Sequence, residues 1–103
     1  MAVVFDDVFG HRLFLDQAHR EHMVTEHPEI QPYLDRLEEL FRRPEIVKRS
    51  RRDSHVYLYY RFYSDLMGGK YLLGVAHVAP RPRVLTCYVT DTVKQGDLLW
   101  PRH

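Results

Sequence analysis

From position 55 onward the side chains alternate with a period of two, and this alternation constrains the fold more than any other feature of the chain. Val56, Leu58, Tyr60 and Phe62 interleave with Tyr57, Tyr59, Arg61 and Tyr63, the pattern of a strand with one apolar face and one aromatic-polar face. Gly68-Gly69 supplies a turn, residues 70 to 79 read as a second strand, Pro80 and Pro82 mark a connection, and residues 83 to 90 read as a third strand. Strands so close in sequence are expected to pair antiparallel. In the third, Leu85, Cys87 and Val89 face one way and Thr86, Tyr88 and Thr90 the other. Helices with a single apolar stripe should cover the greasy sheet face. That leaves Tyr57, Tyr59, Arg61, Thr86, Tyr88 and Thr90 together on a more open face.

Upstream, Val3 to Phe5 and Arg12 to Leu15, separated by Gly10, suggest a short hairpin or two edge segments. Asp16 has the character of a helix cap, and residues 17 to 26 a short helix ended by Pro28, which disfavours helical geometry at His27. His27 is therefore expected at a corner. Pro32 suits the first turn of a second helix, in which Tyr33, Leu34, Leu37, Leu40 and Phe41 recur at helical spacing until Pro44. The fold class expected is α+β, with N-terminal helices on one face of a mainly antiparallel sheet.

The 103 residues are expected to form one domain, residues 1–103. With 45% hydrophobic and 28% charged residues the composition is that of a globular protein. No apolar run approaches the roughly 20 residues of a membrane helix. The first residues lack a signal-peptide pattern, so a cytoplasmic location and no membrane partner are expected. Cys87 is the only cysteine, so no internal disulfide can form. The net charge of +1 argues against indiscriminate coating of a polyanion. Arg42, Arg43, Lys48, Arg49, Arg51 and Arg52 nevertheless cluster between positions 42 and 52. They form either a phosphate-facing stripe or a solvated connection between helix and strand.

His22-x4-His27-Pro28-Glu29, the helix ending near Pro44, Tyr59-Tyr60-Arg61, the Leu72 to Val78 strand, Thr86-x-Tyr88-x-Thr90-Asp91 and Lys94-x-Gly96-x3-Trp100 occur in that order. In this order the chain resembles small phage- and mobile-element-associated domains grouped with the barnase, EndoU, colicin and RelE-like nucleases. The resemblance runs from about residue 10 to Trp100. It implies helices packed on one face of a curved antiparallel sheet and a metal-independent endoribonuclease activity, toxin-like or accessory to a phage. The implied partners are RNA (tRNA, mRNA or a ribosome-associated RNA) and a cognate inhibitor protein; no cofactor is implied. Glu26 stands where a basic residue is expected, and His77 where a lysine is common. These departures motivate one alternative, a non-catalytic RNA-binding or protein-interaction module on the same scaffold; a homodimer formed through exposed strands or the Tyr-rich face is another.

Metal-independent RNA cleavage takes a proton from a 2′-hydroxyl, stabilises a charged phosphorane-like transition state and protonates the leaving 5′-oxygen. Histidine suits proton transfer near neutrality, and arginine suits phosphate. His27 is the first candidate acid or base, or else a helix-entry residue packed on Pro28. His22 is the second, or else a helix residue bonded to Glu26. Arg61 is the preferred phosphate ligand, or else half of a cross-strand ion pair, with Arg51 a weaker candidate. Tyr88 joins the catalytic set, while Tyr59, Thr86 and Thr90 are candidate RNA contacts through hydrogen bonding or stacking. Thr and Tyr are also favoured in strands for structural reasons. Period alone leaves open which face His77 uses. His19 and His22 lie three apart, but no third ligand follows at a recognisable spacing, so no metal is expected. Ser50, Ser54 and Ser64 lie in no nucleophile-elbow context, and Gly68-Gly69 is too little for a phosphate loop.

Overall fold

A computed structural model describes residues 2–102. The fold is α+β: β1 (Val3–Asp6), β2 (Arg12–Leu15), α1 (Gln17–Glu26), a 3-10 segment (Pro28–Arg36), α2 (Leu37–Arg42), β3 (Ile46–Arg49), β4 (Val56–Tyr63), β5 (Lys70–His77), β6 (Arg83–Thr90) and β7 (Asp97–Trp100). The strands form one mixed sheet in the order β1-β2-β6-β5-β4-β3-β7. Its neighbours pair antiparallel except β2 and β6, which meet in parallel at Phe14 and Arg83. No helix among the described residues is long and apolar enough to cross a membrane.

The helical half follows its prolines. Asp16 caps α1 by accepting the His19 N–H at 2.7 Å. The helix ends at His27, whose backbone leaves helical geometry (φ −130°, ψ 70°) one residue before Pro28. The expected second helix does not start at Pro32. Pro28 and Pro32 each remove a donor from the i→i−4 ladder, so the chain runs as a 3-10 segment to Arg36, and regular α geometry begins only at Leu37. Ile30, Leu37, Leu40 and Phe41 from these segments join Met23, Leu13, Leu15, Val47, Tyr59, Leu72, Ala76, Val84 and Cys87 in the main core.

Cross-strand register decides the faces. Tyr59, Gly74 and Cys87 are direct neighbours across β4, β5 and β6, and so are Tyr60, Leu73 and Tyr88. The first row faces the helices, and the second lies on the other face with a smaller cluster of Leu58, Tyr60 and Leu73. The expected assignment therefore holds in β6 for Cys87, Val89, Thr86 and Tyr88, but a register shift skips Leu85 and puts Val84 in the core instead. In β4 it is inverted, the helices covering Tyr57, Tyr59 and Tyr63 while Leu58 and Tyr60 lie opposite. The cause is a set of specific partners. Tyr59 is fully buried with its hydroxyl bonded to Asp7, and it meets Phe41 edge-on at 5.0 Å. Gly74 makes room for this, since a Cβ there would lie 2.8 Å from two Phe41 ring atoms.

The second face is also covered. The connection from β6 must cross β5, β4 and β3 to reach β7. It is fastened by the Lys94 N–H donating to Tyr60 Oη at 3.0 Å and by Val93 packing on the cluster beneath. Gly96 permits a close approach, because a Cβ there would be 2.6 Å from the Arg49 carbonyl oxygen. The basic run of residues 42 to 52 is not one stripe. Part of it forms β3, whose alternation sends Lys48 and Arg49 to opposite faces, while Arg42 approaches Asp6 and Arg51 approaches Asp97.

Candidate functional site at the free edge of β6

Beyond Arg83, β6 has no strand partner on its β2 side among the described residues, and the 3-10 segment contacts it instead. This brings the α1 corner to the strand edge. Ile30, buried at 1% exposure, anchors the corner, and its N–H donates to the His27 carbonyl at 3.2 Å. The His27 ring then stacks on Tyr88, with centroids 5.1 Å apart and planes 27° apart. Glu29 approaches the same imidazole, Oε2 lying 3.7 Å from Nδ1.

From the other side, the crossing connection delivers Lys94. Its ammonium donates to Tyr88 Oη at 2.6 Å and lies 5.3 Å from the ring centroid. Four groups of different chemistry thus converge at one edge: an imidazole, a carboxylate, a phenol and an ammonium. A groove of about 390 Å³ lined by Glu29, Met67, Lys70, Val89, Thr90 and Asp91 lies beside this cluster and shares Glu29 with it. Because Tyr88 Oη accepts from Lys94, its own O–H proton is free to be donated outward.

The other expected site residues lie elsewhere. His22 is an exposed α1 residue whose Nε2 is 2.8 Å from Glu26 Oε1, the helix-internal pairing that its spacing allowed. Arg61 projects on the helix side of β4, opposite Tyr88 in face. It donates to the Arg43 carbonyl at 2.6 Å and has Nε 3.4 Å from Glu39 Oε1, so it ties down the end of α2. Tyr59 is fully buried and presents no surface to RNA. Arg51 is exposed near Gln95 and Asp97. Thr86 shares the face of Tyr88, while the Thr90 hydroxyl is engaged in a local turn with Thr92. Cys87 is fully buried, and burial pushes its thiol pKa up, so it is no nucleophile.

Two clusters escaped sequence reasoning. Asp7, the buried carboxylate, accepts the Phe9 and His11 N–H groups at 3.0 and 2.7 Å, His11 Nδ1 at 2.8 Å and the Tyr59 hydroxyl. Asp53, His55 and His77 also come together, their candidate ligand atoms all within 4.8 Å of one another. Each joins residues distant in the chain, so a search for local spacing could not find them. Lys94 was visible only as part of the Lys94-x-Gly96 pattern. Comparison of the chain with protein-family models, curated proteins and solved structures finds no match.

Proposed function

We propose that the protein is a metal-independent endoribonuclease working at the free edge of β6, on a scaffold of the barnase, EndoU, colicin and RelE-like type with a curved sheet. The observation that carries this reading is the His27–Tyr88–Lys94 arrangement: an imidazole stacked on a phenol whose oxygen is held by an ammonium. His27 takes the 2′-hydroxyl proton as that oxygen attacks phosphorus, and the bond to the 5′-oxygen breaks to leave a 2′,3′-cyclic phosphate. Lys94 stabilises the charge that develops on the phosphate oxygens. The Tyr88 O–H supplies a proton to the leaving oxygen. Glu29, 3.7 Å from the ring, stabilises the imidazolium that forms by its charge. The substrate class is a cytoplasmic RNA, threaded along the groove that shares Glu29 and Thr90.

The test is incubation of purified tRNA and total RNA with wild type and His27→Ala in excess EDTA, with the cut ends mapped. Discrete wild-type cuts ending in cyclic phosphate and absent from the variant are expected. RNA retention that weakens with salt, without cleavage on free RNA or ribosomes, would convert the reading to a binding module.

A further inference from the structure

We propose that Asp53, His55 and His77 form a binding site for one divalent first-row transition ion, zinc being the natural occupant. The site is independent of the His27–Tyr88–Lys94 edge. Tyr88 pairs with Leu73, whereas His77 closes the far end of β5 four residues on, roughly 13 Å away at the rise of a strand.

The fold presents these three side chains together from the end of β5 and the turn that precedes β4. His77 ends β5 opposite Val56, and the Val78 N–H donates to the His55 carbonyl at 2.8 Å, which clamps the backbone just before β4 against the backbone just after β5. Asp53 is held by its own turn. Its Oδ1 accepts the His55 N–H at 2.9 Å, and its carbonyl accepts the Val56 N–H at 3.0 Å. The carboxylate therefore presents one oxygen toward each imidazole: Oδ1 is 3.8 Å from His55 Nδ1, and Oδ2 is 3.6 Å from His77 Nε2. The two rings lie 5.8 Å apart between centroids.

One donor atom from each residue lies within 4.8 Å of the others, so the three must close in by roughly an ångström to reach the edge of a coordination tetrahedron, about 3.4 Å for bonds of 2.0–2.1 Å to nitrogen or oxygen. The two carboxylate–imidazole separations are too long for direct hydrogen bonds. A cation between the groups would satisfy all three at once, and small side-chain rotations complete the geometry. Two imidazoles and one carboxylate select a borderline ion such as zinc over magnesium or calcium, which take oxygen ligands. Three protein ligands leave the fourth position to water. The other nitrogen of His77, Nδ1, is buried without a hydrogen-bond partner among the described residues, so Nε2 is the ligating atom. The lack of an outer acceptor on Nδ1 places the affinity below that of fully buttressed zinc sites.

The measurement is titration of metal-free protein with Co2+, followed by visible absorption, and with Zn2+, followed by calorimetry. Wild type is compared with His55→Ala, Asp53→Asn and a control variant, His19→Ala/His22→Ala, which removes the histidine pair on α1. One ion per chain is expected, with a tetrahedral Co2+ spectrum. His55→Ala and Asp53→Asn should each weaken binding at least about tenfold, since loss of even an outer-shell partner costs that much, and the control should bind as wild type does. His55 and Asp53 are exposed, so these variants should fold, as circular dichroism will verify. Absence of saturable binding, or binding that disappears with His19 and His22 and not with His55, would overturn the proposal. RNA cleavage enters neither readout, so this site stands or falls separately from the ribonuclease reading.

Discussion

Tyr59 is fully buried, yet its hydroxyl is satisfied because Asp7 turns a carboxylate oxygen toward it. Burial and that bond both raise the phenol pKa, so the group stays a neutral donor. Tyr59→Phe keeps the ring packing and removes one donor from a buried carboxylate, which should cost about 1–3 kcal/mol. Urea unfolding should show this as a lower midpoint at unchanged slope, with RNA cleavage unaffected. Asp7 lies 52 positions from Tyr59, so no local pattern announces that this tyrosine points inward. His27 is the opposite case. Its corner follows directly from Pro28 and was legible in the sequence, whereas the ring it stacks on depends on where β6 lies.

The β4–β5–β6 meander, the β1–β2 hairpin and the Asp16 cap were all readable from period and punctuation, because each is a local property. Which face of β4 meets the helices was not. That is set by Gly74 and Phe41, which come from different elements and touch only after folding. Gly74→Ala tests this directly. The new Cβ would meet Phe41 at 2.8 Å and Leu40 at 3.0 Å, and overpacking of this kind costs about 1–3 kcal/mol. Thermal unfolding should show the loss, and Gly74→Ala/Phe41→Leu should recover part of it. β3 and β7 were hidden because Lys48-Arg49 and Asp97 look like solvated connection. Their strand geometry comes from pairing with β4 and with each other. In the crossing connection, Gly96→Ala places a Cβ against the Arg49 carbonyl. It should loosen the hold of the connection on Tyr60 and reduce RNA cleavage by displacing Lys94, with less effect on global stability than Gly74→Ala.

Across the whole molecule, carboxylate pairs tie the helical half to the sheet. Arg36 donates to both oxygens of Asp65 at 2.8 and 2.6 Å and lies over Tyr33 and Tyr63. Glu39 accepts from the Tyr63 hydroxyl at 2.7 Å. The bond from Arg36 holds the Asp65 carboxyl below the usual range, and the bond from Tyr63, aided by Arg61, does the same for Glu39. A depressed folded pKa contributes stability above the unfolded value, near pH 4 for carboxylates, and that stability is lost as pH falls through the lower folded value. The urea midpoint should therefore be level above about pH 5 and fall below pH 4, with a shallower fall in Arg36→Gln. The proposed ribonuclease reading turns on which cation would serve the phosphate: Lys94 beside Tyr88 or Arg61 on the other face. The direct measurement is the RNA cleavage rate in excess EDTA for Lys94→Ala and Arg61→Ala beside wild type, at a temperature where all three are folded. The geometry predicts a loss of roughly 10²–10³ for Lys94→Ala, the cost of removing one transition-state donor, and a near-wild-type rate for Arg61→Ala. Loss of cleavage in Arg61→Ala with Lys94→Ala unimpaired would contradict the account.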